Sequence, residues 1–213
     1  MSFKIKSDSS MYPKSLKELK DFPGELNYIG KIDNSTFNNC LGVVGSRNIS
    51  TYGKRVIEKI IGGLSREIVI VSGFMTGVDA HAHEKAISSG LKTIAVLPCG
   101  CDVVHPANNS ALYGRILETN NIVLSEFEDG FLPRVWTYPK RNKIVAGICK
   151  AVLIIEAAKN SGSLITADLA HRFGKKVFTV SGSIFGSNYE GVELLLNSYG
   201  LAVSDSSVIN NFY

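Results

Sequence analysis

Residues 41–47 read Leu41-Gly42-Val43-Val44-Gly45-Ser46-Arg47, and a helical pattern opens a few residues later at Gly53. The segment is apolar or small on both of its alternating faces until it reaches a glycine turn. A strand of that kind needs cover on both sides, as in a parallel sheet flanked by helices. The same unit recurs along the chain. Strands are predicted at Leu41–Gly45, Ile68–Gly73, Thr93–Leu97, Ile122–Glu126, Ala151–Ala157 and Val177–Ser181. Helical patterns fall at Gly53–Arg66, Asp79–Ser89, Asn108–Glu118, Asn142–Cys149, Leu164–Phe173 and Gly191–Tyr199. Gly90 and Gly174 each stand just past a helical pattern, where a left-handed cap is wanted. This alternation predicts an α/β fold with a doubly wound, mostly parallel sheet. Such sheets bind ligands beyond the carboxyl ends of their strands.

Working outward, residues 1–40 read as an N-terminal extension packed on the core, with Tyr12-Pro13 and Phe22-Pro23-Gly24 around a short helix near Ser15–Lys20. Residues 41–204 form the expected binding domain, ending in a short strand at Leu201–Ser204, and residues 205–213 a C-terminal tail. With 213 residues, 45% of them hydrophobic and 20% charged, the chain can bury a full core. No run of 18 apolar residues occurs, and the opening MSFKIKSDSS has no apolar block before a cleavage site. The four cysteines, Cys40, Cys99, Cys101 and Cys149, are too scattered for a disulfide framework, so reduced thiols in a cytoplasm are expected.

The formal charge of +4 permits a nucleic-acid partner without requiring one. Its distribution is more informative. Arg134, Lys140, Arg141, Lys143 and Lys150 fall in one stretch that contains no acidic residue. Within it, Trp136-Thr137-Tyr138-Pro139-Lys140-Arg141-Asn142-Lys143 interleaves aromatics with cations, the pairing that holds single-stranded nucleic acid. Trp136 taken alone also suits a hydrophobic anchor for a surface loop.

Three strand-end loops are phosphate-friendly or glycine-framed. Gly45-Ser46-Arg47 combines close backbone approach with a fork-shaped cation, though an ordinary turn with a solvated arginine fits equally. Ser161-Gly162-Ser163 opens a helix as a phosphate nest or as a plain N-cap. Ser72-Gly73 leads into a turn ending at Asp79, whose expected role is structural. His81 and His83 sit two apart on a helix and point away from each other, which disfavours a metal pair.

Several chemistries lack their motifs. The first turn is not G-x-G-x-x-G, and no G-x-x-x-x-G-K-[ST] or G-x-S-x-G occurs. Cys99 and Cys101 have no second ligand pair at zinc spacing. Binding without catalysis, without cofactor and without metal is the expectation.

Together these loops resemble the DNA-processing protein A (DprA/Smf) family. The resemblance rests on L-G-V-V-G-S-R-N-I-S-T-Y-G (41–53), S-G-F-M-T-G-V-D-A-H-A-H (72–83), C-G-C-D-V-V-H-P (99–106), R-N-K-I-V-A-G-I (141–148) and S-G-S-L-I-T-A (161–167). It implies an extended Rossmann-like, doubly wound, mostly parallel sheet. It also implies a homodimer that binds single-stranded DNA without hydrolysis, protects incoming or processed DNA in natural transformation, and loads a RecA-type recombinase. Carried over residue by residue, Arg47 matches a phosphate-clamping arginine and Tyr138 a stacking aromatic. Arg141, Asn142 and Lys143 match an R-N-R stretch, and Ser161, Gly162 and Ser163 a phosphate-facing turn. The expected DNA-binding set is therefore Gly45, Ser46, Arg47, Gly73, Tyr138, Lys140, Arg141, Asn142, Lys143, Ser161, Gly162 and Ser163. Thr76 replaces a common arginine, and Glu193 stands in place of a usual asparagine; both changes make the chain more negative than the pattern. The helical and winged-helix domains that often flank this core are not part of this sequence. The alternative is a Rossmann-like nucleotide sensor or nucleotide-processing enzyme using the same pocket; the P-G-G-x-G-T-x-x-E loop of the phosphoribohydrolases does not occur.

Overall fold

Strands apolar on both faces lie at the centre of a single nine-stranded sheet in a computed structural model, which describes residues 1–182, 186 and 188–213. The strands are β1 (Phe3–Lys6), β2 (Glu25–Ile29), β3 (Cys40–Val44), β4 (Val69–Ser72), β5 (Thr93–Val96), β6 (Ile122–Ser125), β7 (Ala151–Ile154), β8 (Lys176–Thr179) and β9 (Leu201–Ala202). Their order across the sheet is β1-β2-β6-β5-β4-β3-β7-β8-β9. From β6 to β9 every pairing is parallel, whereas β1 and β2 add antiparallel to the β6 edge.

Alternate residues of each central strand feed opposite layers, the period-2 consequence of the pleat. Val44, Val152 and Ile154 pack beneath α1 (Lys14–Lys17), α5 (Thr137–Ile148), α6 (Gly162–Arg172) and α7 (Glu190–Leu196). Leu41, Val43, Ala151 and Leu153 face α2 (Thr51–Gly62), α3 (Val78–Ser88) and α8 (Ser207–Asn210). On that same side α4 (Ser110–Glu118) covers Ala95, Leu97 and Val123.

The six predicted strands and the short final strand are present, and Gly90 and Gly174 carry φ of +71° and +70° past the ends of α3 and α6. Two differences matter. Residues 1–40 supply β1 and β2, strands whose weak signal reflects how few residues they bury: β1 buries only Ile5. Helix α5 starts at Thr137, five residues before its predicted start, with Pro139 in its first turn, where a missing N–H costs nothing. The terminal residues pack as well: Ile209 is fully buried, and the Tyr213 hydroxyl donates to the Cys40 carbonyl at 2.7 Å. Among the described residues no helix is long and apolar enough to cross a membrane.

Candidate functional site

β3 and β7 are neighbours, but the chain runs from β3 outward through β4 and from β7 outward through β8. Their carboxyl-end loops therefore diverge, which is where doubly wound sheets open a ligand crevice. A cleft of about 360 Å³ lies there. The loop after β3 brings Gly45, Ser46 and Arg47 to it, and the end of β4 brings Gly73. One face of α5 contributes Tyr138, Arg141 and Asn142, and the start of α6 contributes Ser161, Gly162 and Ser163. Met75, Pro139, Val145 and Ile165 supply apolar wall.

Arg141 forms the floor. It is 4% exposed, and its Nη1 donates to the Gly73 carbonyl and, at 3.5 Å, to that of Val96. A Cβ on residue 73 would stand where this guanidinium sits, so any side chain there would have to displace it. Asn142 orients the fork, its Oδ1 accepting from Arg141 Nε at 2.9 Å. Asp79, on the first turn of α3, faces the same space and accepts from the Met75 amide at 3.2 Å. Burial pushes the Asp79 carboxyl above the usual carboxylate range, while the Arg141 charge and the Met75 hydrogen bond pull the other way. Phe74, between Gly73 and Met75, has φ of +61°, a conformation bulky residues adopt only when their surroundings fix it.

Above this floor stands Tyr138. Its ring centroid lies 5.8 Å from the Arg47 guanidinium carbon and 6.0 Å from that of Arg141. Its hydroxyl shares a 2.8 Å hydrogen bond with His105 Nε2, which fixes the ring beside the two cations. Burial holds His105 below its ordinary range, reinforced by the charges of Arg47 and Arg141. Arg47 is exposed and points its charge into an open cleft rather than into an internal ion pair.

The two helix starts near the cleft differ. At α2, Ser50 caps the helix, and the carboxylate of Glu156 accepts from the Ser50 amide at 3.0 Å and from its hydroxyl. That N-terminus is already occupied by an internal anion, so the contribution of residues 45–47 comes from Arg47 rather than from the helix. At α6, Ser161 is the N-cap, accepting from the Ser163 amide at 3.2 Å, and its hydroxyl lies 2.6 Å from that of Ser163. Here no carboxylate intervenes, and the capped turn opens directly onto the cleft.

Two of the expected residues lie elsewhere. Lys140 projects over the rings of Phe127 and Trp136, 3.6 Å from Glu126. Lys143 donates to the carbonyls of Lys20 and Asp21 at 2.6 and 2.7 Å, tying α5 to the N-terminal segment. Thr76 bonds the Arg47 carbonyl at 3.3 Å, and Glu193 is exposed on α7; neither lines the cleft. Sequence reasoning left His105 without a role and gave Asp79 only a structural one. Both fall inside quoted motifs, C-G-C-D-V-V-H-P and S-G-F-M-T-G-V-D-A-H-A-H, which was the available signal. Cys99 and Cys101 are buried, their thiols donating to the carbonyls of Val103 and Asn27, each at 3.3 Å.

Known proteins share this fold. A solved structure of DNA processing protein A from Streptococcus pneumoniae superposes with a TM-score of 0.93 at 36% identity, covering 100% of this chain and 74% of that one. A structure from Helicobacter pylori, solved for the single-stranded DNA binding mode of its DNA processing protein A, superposes with a TM-score of 0.86 at 27% identity over 99% of this chain and 94% of its own. In sequence, the Streptococcus pneumoniae DNA processing protein DprA is 41% identical over 99% of this chain and 74% of the relative. Protein Smf of Escherichia coli is 35% identical over 96% of this chain, which spans 55% of that protein. The family described as DNA recombination-mediator protein A matches residues 4–212, and with both superpositions in agreement the chain belongs to that family.

Proposed function

We propose that this chain binds single-stranded DNA in the β3–β7 cleft without cleaving it, protects incoming or processed strands, and promotes loading of a RecA-type recombinase. One observation carries the reading: the guanidinium carbons of Arg47 and Arg141 lie 5.8 and 6.0 Å from the centroid of one aromatic ring, that of Tyr138, held by its bond to His105. Cations for phosphates beside a π-face for a base are the two elements of sequence-tolerant single-strand binding. The roles follow the geometry. Arg47 pairs a phosphate, Tyr138 stacks a base, and the Ser161–Ser163 turn offers hydroxyls and amides to a second phosphate. Arg141 acts mainly from beneath, through its charge and by holding Gly73. The structure of the Helicobacter pylori relative supports this choice of ligand.

The protein acts in the cytoplasm and as a homodimer in this reading. The outer strand β9, with exposed Leu201 and with Leu194 on the neighbouring α7, supports a second copy at that edge.

A gel-shift of the purified chain with oligo-dT across a salt series tests the proposal. Affinity is expected to fall steeply with salt, and to exceed that for duplex of equal length. A thermal-shift screen with mononucleotides tests the competing nucleotide-sensor reading. Stabilisation by a mononucleotide with none by oligo-dT would overturn the DNA assignment.

A further inference from the structure

Helix α5 presents two adjoining stripes. Tyr138, Arg141, Asn142 and Val145, at i, i+3, i+4 and i+7, face the cleft. Trp136, Pro139 and Lys140, at i, i+3 and i+4, form the next stripe, and Pro139 itself lines the cleft, so the two surfaces share an edge. Trp136 is 50% exposed, in a region where Leu132 and Val135 are 65% and 89% exposed. The ring is not loose. It makes edge-to-face contacts with Phe127 and Phe131 at 5.7 and 5.9 Å between centroids. Lys140 Nζ stands 5.5 Å over it and Arg134 lies 5.9 Å from the Phe131 ring. Of the acidic residues in the same loop, Glu128 shares Lys4 with Glu25, at 3.2 Å against 2.8 Å, and Asp129 accepts from the Ser2 amide. Lys140 reaches Glu126 only at 3.6 Å, beyond a good charge-assisted hydrogen bond.

We propose that Trp136 is a second base-stacking platform, on which the DNA strand continues after it leaves the cleft across Pro139, with Lys140 and Arg134 pairing the phosphates on that side. The proposal rests on the single-strand reading of the cleft and adds the direction in which the strand exits. A pre-positioned, half-exposed aromatic flanked by cations has the composition of a stacking site, and its packing on Phe127 and Phe131 removes the ordering cost of presenting the ring.

Trp136 is the chain's single tryptophan, so its emission reports this surface directly. Dye-labelled oligo-dT of about six nucleotides, enough for the cleft, and of about twenty, enough for both surfaces, are to be titrated by anisotropy and by tryptophan emission in parallel. The longer oligonucleotide is expected to quench the emission strongly and the shorter one weakly. Trp136→Ala is expected to weaken the longer by about 5- to 10-fold and the shorter by less than about 2-fold, with Trp136→Phe restoring most of the difference. Binding of both lengths without quenching, or an equal loss for both in Trp136→Ala, would reduce Trp136 to a loop anchor and overturn the proposal while leaving the cleft reading intact. Absence of binding by anisotropy at either length would overturn the cleft reading and this one with it. Melting temperatures of both variants separate loss of contact from loss of fold.

Discussion

The guanidinium of Arg141 occupies the volume that a side chain at residue 73 would fill, and it is bonded to the Gly73 carbonyl. Strand β4 and helix α5 are thereby locked at the floor of the cleft. Gly73→Ala would push the guanidinium out of a buried site beside Asp79. The expected result is a destabilisation of about 1–3 kcal/mol, as for overpacking of a close-packed interior, together with weaker DNA binding. Urea denaturation and oligo-dT anisotropy measure the two effects. An unchanged midpoint would show that the floor repacks without cost.

Arg47 and Lys150 carry the same charge at different ends of the molecule. Arg47 lines the cleft, whereas Lys150 bonds Asn39 Oδ1 at 2.7 Å and lies over the Tyr213 ring. Arg47→Ala should lose affinity at low salt and reduce the slope of log affinity against log salt by about 0.7, one phosphate contact on a single strand. Lys150→Ala should leave that slope unchanged. Equal slopes for both variants would mean that binding follows net charge alone.

Tyr138 separates stacking from hydrogen bonding. Tyr138→Phe keeps the ring near Arg47 and Arg141 and loses the bond to His105. It should hold affinity within about 3-fold, while Tyr138→Ala should lose about 5-fold or more, the lower end of a stacking contribution. Fluorescence anisotropy with oligo-dT reads both variants. A large loss in the Phe variant would shift the role from the ring to the hydroxyl.

Much of this site was legible from the resemblance of five ordered motifs, since Gly45-Ser46-Arg47 and Ser161-Gly162-Ser163 taken alone also fit an ordinary turn and a plain N-cap. What linear reading could not do was assign the basic run. Lys140, Arg141 and Lys143 are neighbours in sequence, yet successive helical residues turn by about 100°, so only Arg141 faces the cleft. Placing them required knowing that α5 begins at Thr137, and the tyrosine–proline pair concealed that start. The central strands were legible from continuous apolar runs; β1 and β2 were not, because a strand that buries only one or two residues leaves little pattern. Lys143 shows the consequence. Lys143→Ala removes both bonds to residues 20 and 21, and it should lower the melting temperature more than it lowers DNA affinity. A thermal melt beside an anisotropy titration decides the point, and a loss of affinity without loss of stability would return Lys143 to the binding set.

His83 sets a pH limit on the fold. It is fully buried on α3, with Nδ1 2.7 Å from the Thr93 hydroxyl oxygen. The Thr93 hydroxyl is already donating to the Ile70 carbonyl at 2.9 Å, so His83 Nδ1 carries the proton and donates to Thr93, and Nε2 is left bare, with no partner among the described residues. Protonation would place an N–H and a charge where none of the described residues accepts them, and burial pushes the pKa down from 6.5 to about 3. The unfolded chain therefore binds a proton between those two values that the native state does not. Stability contributed by the neutral imidazole is complete above about pH 6.5 and declines as pH falls toward 3, with a limiting slope of about 1.4 kcal/mol per pH unit. Asp79, whose carboxyl is held above its usual range, acts with the opposite sign, gaining stability on acidification, so the total curve is a composite. His83→Gln can keep a hydrogen bond to Thr93 without titrating. Subtracting its unfolding free energies from those of the parent between pH 4 and 7 should isolate the histidine, because Asp79 and the other carboxylates are common to both proteins. A difference curve that is flat across this interval would mean that His83 takes up its proton in the folded state.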